Sequence, residues 1–92
     1  MTEVVVAVYN AASAAETAVA DLAVARVPTT TIRQFVSDPA ADEELREVRY
    51  RRTTSGDRVV AVTVDERHAR AVLEILAMQA PATMTEAPLK VA

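Results

Sequence analysis

Two segments of this chain are apolar on both of their alternating faces, and that property restricts its possible folds more than any other. Val4-Val5-Val6-Ala7-Val8-Tyr9 and Val59-Val60-Ala61-Val62-Thr63-Val64 consist almost entirely of β-branched and small apolar residues. A strand with one side in water alternates apolar with polar residues, whereas a strand covered on both sides reads as an unbroken apolar run. Both segments are therefore expected as central strands of one sheet, with Arg58 leading into the second.

The residues between them change period. From Ser13 to Ala25 the chain is alanine-rich, and Ala15, Val19, Leu22 and Ala23 recur at helical spacing. Ser13 and Glu16 stand at capping-box spacing, Asn10 offers a competing cap, and Pro28 stops the helix. Thr29 to Val36 is rich in Thr, Ile, Phe and Val and reads as a strand. Ile32, Gln34 and Val36 fall on one of its faces and Thr31, Arg33 and Phe35 on the other, a polar-centred pattern suited to a sheet edge. Gly56-Asp57 marks a turn into the second valine strand. Asp65 then caps a helix whose Ala69, Val72, Leu73, Leu76 and Ala77 form the clearest helical stripe in the chain. Glu66 and Arg70 are spaced for an i,i+4 pair on its outer side. Pro81 ends this helix, Ala82 to Glu86 offers a short last strand, and residues 87–92 read as a loose tail.

The order is βαββαβ. Right-handed crossovers assemble such an order as a four-stranded antiparallel sheet with the two valine strands central and both helices on one face. The predicted architecture is thus a ferredoxin-like α/β sandwich of the α+β class. Ninety-two residues are too few for a second core, so residues 1–92 read as one domain. Hydrophobic residues make up 51 % of the chain, more than one helix-covered face uses. The second face is therefore expected to be apolar, with Val5, Ala7 and Tyr9 of the first strand and Val59, Ala61 and Thr63 of the third as its residues. A homodimer packed sheet on sheet would cover it. The alternative cover is the segment from Ser37 to Ser55.

That segment, residues 37–55, is an insert of about twenty residues where a tight hairpin would suffice. Asp38-Pro39 is a helix-start signal, and Ala40 to Val48 could form a short helix. The acids Asp38, Asp42, Glu43, Glu44 and Glu47 come first and the bases Arg46, Arg49, Arg51 and Arg52 last, the arrangement that complements a helix macrodipole. Arg49, Arg51 and Arg52, around Tyr50, are also candidates for an anion-binding rim, since guanidinium forks grip phosphate and carboxylate. Alternating solvent-facing arginines on an extended hairpin are a third reading of the same residues.

The residues that are missing exclude whole chemistries. There is no cysteine, one histidine (His68) and one glycine (Gly56). No disulfide, thiolate nucleophile or cysteine zinc site can be written, nor a phosphate-cradling glycine loop. No metal site and no cofactor is expected. A net charge of −3 and a pI near 5.0 oppose nucleic-acid binding. RNA-recognition modules stack bases on central-strand aromatics, and these strands hold Tyr9 alone. No apolar run approaches a membrane span, and Met1-Thr2-Glu3 lacks a signal-peptide n-region, so a cytoplasmic location is expected. His68 lies off the apolar stripe and reads as a solvated residue. Asp65-Glu66 reads as a cap rather than a catalytic carboxylate pair. Met78 and Met84 read as core or interface filler.

The stretch from Val59 through Asp65-Glu66-Arg67-His68-Ala69 to Leu76, followed by Ala80-Pro81-Ala82, resembles the second half of domains of the heat-induced stress protein YflT (general stress protein) family. The opening valine strand and the helix carrying Glu16 and Ala18 are similar to their first half. The resemblance implies a small bacterial stress-associated protein with no established catalysis and no functional residues to carry over. Three functions follow as expectations. The first is a non-enzymatic, self-associating domain of this stress-protein kind. The second is an ACT-like regulatory domain that binds a small anionic ligand at an oligomer interface, although the glycine-bearing turn usual there is missing. The third is a small dimeric enzyme of the α/β-barrel type working through Arg33 or His68.

Overall fold

A computed structural model describes residues 2–28, 31–36 and 56–88 of the chain. Its elements run β1 (Thr2–Tyr9), α1 (Ala12–Ala25), β2 (Thr31–Val36), β3 (Arg58–Asp65), α2 (Glu66–Ala77) and β4 (Thr83–Pro88). The strands form one sheet in the order β2-β3-β1-β4, every neighbouring pair antiparallel. The two valine strands are central and β2 is an edge, as their residue patterns require. This is the ferredoxin-like α+β fold.

Register decides what each side chain faces. Val5 lies opposite Val62, Ala7 opposite Val60 and Tyr9 opposite Arg58. Directly opposed residues share a face, so odd-numbered residues of β1 stand with even-numbered residues of β3. On one face Val5, Ala7, Tyr9, Val60, Val62 and Val64 pack against Ala15, Ala18 and Leu22 of α1 and Ala69, Val72 and Leu76 of α2. The alanines of α1 let its backbone approach the sheet closely.

Val4, Val6, Val8, Val59 and Ala61 form a second buried cluster on the opposite face, with Phe35 and Ala87 packed against it. This corrects the expected grouping of the second face. Val5, Ala7 and Tyr9 belong to the helix side, and Val59, Ala61 and Thr63 stand with Val4, Val6 and Val8. The five residues of the second cluster are at most 1 % exposed, so the apolar surplus is buried within one chain rather than displayed as an open patch. The insert 37–55 and the short helix expected in it lie outside the described residues.

Local signals were met unevenly. Asp65 caps α2 as its position predicts, its carboxylate accepting from the Arg67 backbone N–H at 3.2 Å. The capping box at Ser13 and Glu16 does not form. The N-cap of α1 is Ala11, with extended φ −132° and ψ 139° and no side-chain hydrogen bond; the Ser13 carbonyl instead accepts from the Thr17 hydroxyl at 2.9 Å. The C-cap of α1 is Arg26 in the left-handed region, φ 55°, where glycine is usual. On α2 an ion pair joins Arg70 to Glu74 at 3.5 Å. Glu66, four residues before Arg70, is engaged as well.

The last strand is longer than its residues suggest. Pairing with β1 runs from Thr83 opposite Val8 to Pro88 opposite Glu3, and the Ala82 N–H adds a bond to the Val8 carbonyl at 2.7 Å. Residues 87 and 88 thus belong to the sheet and not to a tail. A proline is tolerated there because β4 is an edge and its end needs no further donor.

Candidate functional site

The end of the sheet where β1 finishes and α1 begins gathers the described features suited to an anion. The first N–H groups of any helix lack partners within it. In α1, Ala15 reaches back to the Ala11 carbonyl at 3.3 Å, while the N-cap, Ala11, makes no side-chain capping bond and no acid stands in the first turn. The macrodipole therefore concentrates about half a positive charge at an uncapped terminus. Asn10 and Ala11 beside it are exposed. Arg58 lies opposite Tyr9 in the β1–β3 register. Since Tyr9 faces the helix layer, the exposed Arg58 shares that side at the same end of the sheet. Asp57, which precedes it, is buried and already engaged.

Tyr9 fixes this end. Its side chain is 1 % exposed, and its hydroxyl donates to the Leu76 carbonyl at 2.7 Å. It satisfies one of the carbonyls that the end of α2 leaves unpaired and ties that end to the sheet. Burial, and secondarily the Asp21 carboxylate, push the phenol up to about 12, so it is neutral at every physiological pH. Gln79 donates to Asp21 at 3.3 Å, a second tie between α1 and the chain just beyond α2. Tyr9→Phe is expected to cost about 1–2 kcal/mol, because the Leu76 carbonyl loses its donor. The phenol's folded value lies above its unfolded value of about 10. Its contribution is therefore whole below pH 10 and is lost as pH rises through 12, so denaturant titrations at alkaline pH should show a steeper loss for wild type than for the variant.

A second set of charges lies at the opposite end. Glu3 and Glu86 stand on the same face of β1 and β4, in diagonal register, with Glu66 in the first turn of α2. Partial loss of water, then repulsion by Glu86 and Glu66, push the Glu3 carboxyl above its usual value. A raised folded value means that the native state gains stability as pH falls toward the carboxylate range and loses it as pH rises through that value. Glu3→Gln should accordingly raise the melting temperature slightly at pH 7 and leave it unchanged near pH 4, a difference that thermal melts at both pH values measure. Asp65, by contrast, is held below its usual value, first by the Arg67 backbone N–H and then by the Arg67 guanidinium, 3.7 Å from its carboxylate.

The other sequence candidates are scattered. Arg49, Arg51 and Arg52, the proposed anion rim, lie outside the described residues. Arg33 is on β2 opposite Ala61, on the second face. His68 is half-buried rather than fully solvated; its Nδ1 is buried without a hydrogen-bond partner among the described residues. Arg33 and His68 thus lie on opposite sides of the sheet and do not converge. No group of three or more His, Cys, Asp or Glu side chains among the described residues could hold a metal. None of the described helices is long and apolar enough to cross a membrane. The uncapped start of α1 was open to sequence reading, since Asn10-Ala11-Ala12 places alanine at the cap; Ser13 drew the cap to a later position.

Fold and site together define a small ferredoxin-like domain with an uncapped, cationic helix start beside its central strands. No family model matches the chain, and no curated protein matches it. Among solved structures it is similar to the regulatory subunit of aspartate kinase from Thermus flavus, with a TM-score of 0.59 at 16 % identity. The match covers 95 % of this chain and 50 % of that one, so the chain spans about half the length of that subunit. At this identity the likeness concerns the fold.

Proposed function

We propose that this protein is a non-catalytic, ACT-like regulatory module that binds a small anionic metabolite and works as a pair of copies. The observation that carries this reading is the likeness of nearly the whole chain to half of a regulatory subunit. Two copies would supply the length of that subunit, which supports the pairing. The anion's place is the start of α1, where the Ala12, Ser13 and Ala14 N–H groups and the Arg58 guanidinium offer donors to a carboxylate or phosphate.

A thermal-shift screen with amino acids, nucleotides and phosphorylated metabolites tests the reading. A ligand at ten times its Kd stabilises the native state by about 1.4 kcal/mol, which for a domain of this size raises Tm by roughly 6–11 °C. Ala11→Asp identifies the site. An acid at the N-cap should stabilise the unliganded fold by about 1 kcal/mol while abolishing the ligand-induced shift, because its carboxylate occupies the donors. Arg58→Ala should weaken the shift without that gain. A screen flat for every anion, or a shift that survives Ala11→Asp, refutes the assignment; light scattering that finds one chain at micromolar concentration refutes the pairing.

A further inference from the structure

We draw no further inference here: the strongest candidate, the outward face of α1 where Ala20, Ala23 and Val24 stand exposed, is an unpartnered apolar surface, and nothing in the structure shows what covers it.

Discussion

Val6→Asp is expected to leave the chain unfolded at neutral pH and 25 °C. Val6 is 1 % exposed and sits in the second cluster, with Ala61 opposite it on β3 and Thr85 opposite it on β4. Thr85 can offer a carboxylate there only a neutral hydroxyl, which does not balance a buried charge. Arg33, in the same cross-strand row beyond Ala61, is already engaged. An uncompensated buried charge costs several kcal/mol, against a total stability of about 5–15 kcal/mol for a domain. Far-UV circular dichroism and the dispersion of an amide NMR spectrum measure the outcome. Ala20→Asp, on the exposed side of α1, serves as the control and should cost less than about 1 kcal/mol. The experiment separates two accounts of the same valines. On a face left open for a second copy, the aspartate would yield a folded monomer; on a face buried within the chain, it yields no fold. A well-dispersed, folded monomeric Val6→Asp protein would overturn the second account.

Leu76→Ala should lower stability by about 2–5 kcal/mol and Tm by about 10–30 °C. Leu76 is fully buried, in the cluster where α2 meets the sheet. Truncating it removes its contacts and leaves a cavity that close packing fills only in part. The substitution spares the Leu76 backbone carbonyl, so the Tyr9 hydroxyl keeps its acceptor. Combining Leu76→Ala with Tyr9→Phe therefore tests whether the side chain and the hydrogen bond act as one unit. Contacting sites typically deviate from additivity by 0.5 kcal/mol or more. Denaturant melts of the two single variants and the double variant give that coupling, and a Leu76→Ala loss under 1 kcal/mol would contradict the described packing.

What the sequence disclosed depended on whether the deciding interaction was local. The valine strands, the α2 stripe and the Asp65 cap are encoded within a few residues of themselves, and all of them appear in the structure. The face that each valine occupies is not local. It follows from which residue of β1 meets which of β3, and a slip of one residue exchanges the two faces. Nothing within Val4 to Tyr9 distinguishes Val5 from Val6, because both are buried. The same reason hid the length of β4: Ala87 and Pro88 have poor strand propensity, and pairing with β1 overrides it. The candidate site was partly legible. Arg58 is visible as a base beyond the turn, yet its place at the sheet end where β1 finishes follows only from its register opposite Tyr9.

The strand order also has a consequence for how the chain comes into being. β1 ends up between β3 and β4, and both of those partners are made after it. During synthesis, at about 5–20 residues per second, its backbone has no sheet neighbour until Arg58–Asp65 emerges, and one edge stays unpaired until Thr83–Pro88 follows. A valine-rich segment with open edges is the kind that pairs with other chains. The interval between making β1 and completing β4 is thus when the nascent chain is most exposed to aggregation. Shielding β1 through that interval is a requirement that the finished fold no longer displays.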